Sequence, residues 1–147
     1  METVVSSATF SGPVEDFVDF CRSLASRECW PGAVLNMATP DTLYYMASIR
    51  LKSATMTDID IEERVGAVES TPTGAVFTTE QRCTWPDGIA LGETEYRFEG
   101  STVTFTYRYE PPTTKLVKTK ELPRFRDGME KVTQLYLSGL TRARVAR

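Results

Sequence analysis

The sequence predicts an α+β fold, and three observations predict it. From residue 33 to residue 110 the chain reads as consecutive strands divided by turn chemistry. An amphipathic helical pattern stands before that run and a longer one after it. Nowhere do strands and helices alternate as βαβ units, so the sheet is expected to be antiparallel, with helices covering one face.

Residues 2–10 have the composition of a first strand. In "SGPVEDFVDFCRSLA" the period changes: Val14, Phe17, Val18, Cys21, Leu24 and Ala25 form a one-sided apolar stripe. Pro13 suits the first helical position, Ser11 or Gly12 can cap it, and Glu15 and Asp16 favour the first turn. Cys21 lies on the stripe and reads as a small core residue. "ECWPGA" ends the helix. Strands then follow at Ala33–Ala38, Thr42–Lys52, Asp58–Val68, Ala75–Trp85, Ile89–Glu99 and Thr102–Glu110, with "TPD", "STPTG", "PDG" and "GS" among the separators. With the first strand, this makes about seven. After "EPPTTK" a long helix begins near Pro123. Phe125, Met129, Val132, Tyr136 and Leu140 form its buried stripe, which Gly128, Leu135, Gly139 and Ala143 widen.

A length of 147 residues suits a single domain, 1–147, with its own core. With 41% hydrophobic and 25% charged residues the composition is that of a globular protein, not of a disordered or collagen-like one. A net charge of −3 argues against a nucleic-acid partner, which calls for a basic stripe. "TRARVAR" at the end is expected to be solvated arginines offsetting a helix dipole. No apolar run approaches the roughly 20 residues of a spanning helix. The N-terminus also lacks the basic and apolar regions of a signal peptide. Cys21, Cys29 and Cys83 are odd in number and unrelated in spacing, which suggests reduced thiols and a cytoplasmic location. The chain has no histidine. That removes imidazole metal sites, Ser-His-Asp and Cys-His catalysis, and any histidine base. No metal and no cofactor is expected. "DIDIEE" is a strand with an acidic outer face, not a calcium loop, because isoleucines interleave its acids and the loop glycine is missing.

Period two assigns strand faces. The inward set comprises Leu43, Tyr45, Ala47, Ile49 and Leu51, then Ile59, Ile61, Glu63 and Val65. Phe77, Thr79, Gln81, Cys83 and Trp85 follow, then Thr94, Tyr96 and Phe98, and finally Val103, Phe105, Tyr107 and Tyr109. Glu80, Arg82, Glu93, Glu95 and Arg97 fall outside, where they can pair across strands.

Three stretches together resemble the START-like (SRPBCC) superfamily, in its polyketide cyclase/dehydrase and lipid-transport branch. They are "FSGPVEDFVDFC" leading into "WPGA", the hairpin "TEYRFEGSTVTFTYRYEPP", and "RFRDGMEKVTQLYLSGL". With the element order they span nearly the whole chain. The resemblance implies a helix-grip fold, in which a curved antiparallel sheet wraps around the C-terminal helix and a cavity between them holds a hydrophobic small molecule. Ring-hydroxylating oxygenase subunits of the superfamily use histidine iron ligands, which this chain lacks.

On that fold the expected ligand-binding residues are Tyr45, Ile61, Phe77, Thr79, Gln81, Trp85, Phe105 and Tyr109 from the sheet, with Met129 and Tyr136 from the helix. The polar members of the inward face need hydrogen-bond partners: water, each other or a ligand. The tyrosines equally suit plain packing, the ring buried and the tip reaching water. Candidate catalytic residues are Tyr107 and Tyr96, neighbours on the last hairpin that can polarise a carbonyl, and Glu63, whose pKa burial is expected to raise. A shaped cavity with one proton donor and one acceptor is enough to cyclise or dehydrate a poly-β-keto chain. The leading expectation is a polyketide cyclase/dehydratase-type enzyme acting on a hydrophobic, polyketide- or lipid-like molecule. A non-catalytic carrier or sensor is the alternative, and a partner-binding module similar to the heat-shock-protein activators of that fold is a third class. The chain is expected to be a monomer or homodimer.

Overall fold

The computed structural model describes residues 1–50, 56–86, 88–111 and 122–143. Leu51, Lys52 and the last two arginines of "TRARVAR" lie outside the described residues. The chain runs β1 (Glu2–Thr9), α1 (Val14–Cys21), a 3₁₀ helix (Leu24–Cys29), β2 (Val34–Ala38), β3 (Thr42–Arg50), β4 (Met56–Val65), β5 (Glu69–Thr71), β6 (Gly74–Trp85), β7 (Gly88–Glu99), β8 (Thr102–Tyr109) and α2 (Leu122–Arg142). The strands form one antiparallel sheet in the order β1-β8-β7-β6-β4-β3-β2, with β5 paired to β6. The first strand closes against the last, from Glu2 opposite Tyr109 to Thr9 opposite Thr102. This curved sheet with a C-terminal helix is the expected α+β helix-grip arrangement.

Four details differ from the sequence reading. Pro13, with extended backbone, caps α1 instead of opening it, and Gly12 turns the chain into it at φ 88°. The helix stops at Cys21, short of Leu24 and Ala25. There the backbone N–H and the hydroxyl of Ser23 both return to the Phe20 carbonyl, and the chain re-forms as a 3₁₀ helix. The strand expected to reach Val68 breaks after Val65, and its pairing resumes in β5 one residue out of register. Gly66 sits at that bulge, where a Cβ would come within 2.9 Å of the Thr78 carbonyl oxygen. On α2, Leu135 is exposed, while Thr133, Tyr136, Leu137 and Leu140 are buried. The buried arc lies around that later set.

Alternation holds along β6, β7 and β8: Phe77, Thr79, Gln81 and Trp85 are buried, as are Tyr96, Phe98, Val103, Phe105 and Tyr109. On the outer face Arg108 pairs with Glu93 across β7 and β8, whereas Arg97 pairs with Glu95 of its own strand. All four are well exposed, so these pairs contribute little.

The concave face divides along the strands. At one end Phe77, Phe98, Val103 and Phe105 pack with Phe10 and Phe17 and with Leu137 and Leu140 of α2. Phe10 stacks on Phe17 with ring centroids 4.5 Å apart, and Phe77 on Tyr96 at 4.6 Å. At the other end Ile59, Trp85 and Ala90 form a smaller cluster, joined by Leu122 and Phe125 from the start of α2.

Candidate functional site

Between the smaller cluster and α2 lies a cavity of about 710 Å³. Its floor is the inward face of β3, β4, β6, β7 and β8. Trp30 and Pro31 close one side, and the first half of α2, from Arg124 to Val132, forms the roof. The volume suits a drug-sized molecule, and the walls are mainly apolar and aromatic, with few polar groups.

Of the residues expected to bind ligand, Tyr45, Ile61, Gln81, Trp85, Tyr109 and Met129 line this cavity; so do Tyr107, Tyr96 and Glu63. The other four stand apart from its lining. Phe77 and Phe105 belong to the solid core at 1% and 0% exposure. Thr79 is buried in hydrogen bonds to Glu63 and Thr94. Tyr136 sits behind the wall, its ring stacked on Trp30 at 3.9 Å and its hydroxyl 2.8 Å from that of Tyr96. Period two identifies the face of a residue but not its place along the strand, and here that place separates core from cavity.

The boundary between core and cavity is a buried polar network around Glu63, which β4 presents at 1% exposure. Arg27 of the 3₁₀ helix, fully buried, donates to it through Nε to Oε1 at 2.7 Å and Nη2 to Oε2 at 3.2 Å. Tyr45 donates to Oε1 at 2.8 Å, Thr79 to Oε2 at 2.6 Å, and the Gln81 amide to Oε2 at 3.0 Å. Arg27 Nη1 donates in addition to the Cys21 carbonyl, the Ser26 hydroxyl and the Tyr136 hydroxyl. A buried ion pair is tolerable only when its remaining donors and acceptors are engaged this fully.

This overturns the raised pKa expected for Glu63. Burial, the largest influence, would raise its carboxyl, but the Arg27 charge together with hydrogen bonds from Arg27, Thr79 and Tyr45 outweighs it. The carboxyl is held below its ordinary value, so Glu63 is a carboxylate. For Arg27, burial opposes the charge, Glu63 together with Tyr136, Tyr96 and Tyr45 more than restores it, and the guanidinium stays charged. The tyrosines move the other way. Burial raises Tyr96, against the Arg27 charge, and it raises Tyr107, with Cys83 and Glu63 adding to it. Burial also pushes Tyr109 up to about 12, and the Cys83 thiol to about 12. At neutral pH these phenols are therefore hydrogen-bond donors, and Cys83 is a thiol, not a nucleophilic thiolate.

The sequence reading missed three residues. Arg27 stands in "SLASREC", which has no helical or strand period to give it a direction. Trp30 lines the cavity and stacks on Tyr136, but its "WPG" setting reads first as a helix breaker. Gly92 lies inside β7, where the edge of the Tyr107 ring and the Gln81 amide lean over the space its Cβ would take, at 3.0 and 3.2 Å. Glycine within a strand signals such a close approach, and that signal was present in "LGETEY". Among the described residues no group of three or more acidic or cysteine side chains is placed to hold a metal ion. No described helix is long and apolar enough to cross a membrane.

No family model and no curated protein sequence matches the chain. Solved structures do match it in fold. A Thermus thermophilus protein aligns with TM-score 0.67 and 12% identity over 95% of this chain and 94% of its own. The Zhui aromatase/cyclase of a Streptomyces species aligns with TM-score 0.60 and 11% identity over 95% of this chain and 91% of its own. The di-domain ARO/CYC BexL aligns with TM-score 0.62 and 15% identity, over 97% of this chain but 50% of its own. At such identities the likeness establishes the fold: this chain shares the helix-grip architecture of aromatase/cyclase structures.

Proposed function

We propose that the protein binds a hydrophobic, polyketide- or lipid-like molecule in the cavity between sheet and α2, and acts on it as a cofactor-independent cyclase or dehydratase. The observation that carries this reading is the cavity itself: about 710 Å³, lined by aromatic and aliphatic walls, with neutral phenols on its surface. The aromatase/cyclases of the same fold support it by analogy.

Tyr107 and Tyr96 are the proposed donors to a substrate carbonyl as it becomes an enolate. Behind the wall the Tyr136 hydroxyl accepts from Arg27 at 3.0 Å and lies 2.8 Å from that of Tyr96, a contact that fixes the Tyr96 ring at the edge of the cavity. Glu63 is not proposed as acid or base, because five donors already engage its two oxygens. Its role is to hold Arg27, Tyr45, Thr79 and Gln81 in place.

The same saturation of Glu63 favours a second reading, a carrier that folds around its cargo without chemistry. Turnover of a poly-β-keto thioester mimic separates the two. An enzyme is expected to lose about tenfold to a hundredfold in kcat on Tyr107→Phe, with KM little changed. Unchanged kcat would remove Tyr107 from the mechanism, and absence of turnover with intact binding would leave the carrier.

A further inference from the structure

Glu63, Gln81, Gly92 and Tyr109 stand in one row across the sheet: Glu63 opposite Gln81, Gln81 opposite Gly92, Gly92 opposite Tyr109. Gln81 and Tyr109 line the cavity at 7% and 4% exposure, and between them Gly92 contributes no side chain. The direction of the Gln81 amide is dictated by its neighbour. A carboxylate can only accept, so Nε2 faces Glu63 at 3.0 Å, and it also reaches the Thr79 hydroxyl at 2.7 Å. The opposite amide orientation would set two acceptors against each other. Oε1 is therefore turned away from the network, and among the described residues it is buried without a hydrogen-bond partner. The Tyr109 hydroxyl likewise is buried with none among the described residues. The first atom can only accept; the second can accept or donate.

Resting on the ligand-binding reading above, we infer that the cavity selects an uncharged molecule bearing a hydroxyl group, which donates to Gln81 Oε1, with the Tyr109 hydroxyl as a second polar contact. A carboxylate in that place would face the Gln81 oxygen and the Glu63 carboxylate. Arg27 is fully buried and already engaged by Glu63, and the other cations of the lining, Arg124 and Lys131, stand on α2 and not in this row. A ligand without a donor would cover Oε1 and leave it unpaired, which is the strongest basis for rejecting an isostere. Gln81 is thus a specificity-determining residue, oriented by Glu63 beside it in the cavity wall.

The test is calorimetric titration of the protein with β-naphthol, its methyl ether and β-naphthoate, beside a neutral naphthylamine dye as a measure of cavity access. β-Naphthol is expected to bind at least about tenfold more tightly than the ether, the worth of one good hydrogen bond, and naphthoate weakest of the three. In Gln81→Met the naphthol and ether affinities should converge, chiefly by loss of naphthol binding. Equal binding of naphthol and ether to the wild type would overturn the inference, as would a preference that survives Gln81→Met. The wild-type comparison decides even if that variant fails to fold. Dye uptake without any naphthol preference would sink this inference alone, whereas failure of the dye and all three probes to bind would remove the cavity-binding reading with it.

Discussion

Glu63 and Arg27 meet across 36 positions of sequence, and the rest of the site is arranged around their contact. Because the pair is fully buried, removing one partner strands the other charge. Arg27→Met is expected to cost about 3–5 kcal/mol at neutral pH, read by urea denaturation. The pH dependence tests the cause. In the wild type the Glu63 pKa is depressed on folding, so its contribution is present above the ordinary carboxylate value and is lost as pH falls through the folded value. In Arg27→Met only the hydrogen bonds from Thr79 and Tyr45 still oppose burial, the larger influence, so the folded pKa rises, and acidification to about pH 4 should recover part of the lost stability. If acid destabilises both proteins equally, Glu63 is not held by Arg27. At this scale half of the pair was legible. Alternation within β4 turns Glu63 inward, but no periodicity gives direction to an arginine in a 3₁₀ helix, and its partner is remote in sequence.

The elements divide the concave face. The last turns of α2 bury Tyr136, Leu137 and Leu140 against the core, while its first turns meet the sheet through Phe125, near Trp85 and Tyr109, and roof the cavity. Gly139 sets the approach of α2 to the 3₁₀ helix, since a Cβ there would come within 3.1 Å of the Cys29 Cβ. Gly139→Val should lift the helix, costing about 1–3 kcal/mol in denaturation and lengthening the Tyr136–Arg27 contact. Stability equal to the wild type would show that the approach is not close. Strand order and faces were legible because alternation and turn residues are local signals. The place along each strand where packing gives way to open space was not. Phe77 and Phe105 carry the same period as Trp85 and Tyr109, and only the docking of α1 and the end of α2 at one side of the sheet tells them apart.

At the scale of the whole molecule, sheet, 3₁₀ helix and α2 together keep a space that side chains do not fill, and separate it from the core with a buried polar network. Interiors are ordinarily packed to crystal density, so a gap of this size with aromatic walls is a feature of the fold's use, not of its stability. Native mass spectrometry of the freshly purified protein tests that claim most directly. The expected spectrum shows a species heavier than the bare chain by one small hydrophobic molecule, or, after stripping, one-to-one uptake of the neutral naphthylamine dye. Both should be lost in Ile61→Trp, which puts bulk into the middle of the floor. A bare mass that takes up no dye in the wild type would contradict the account.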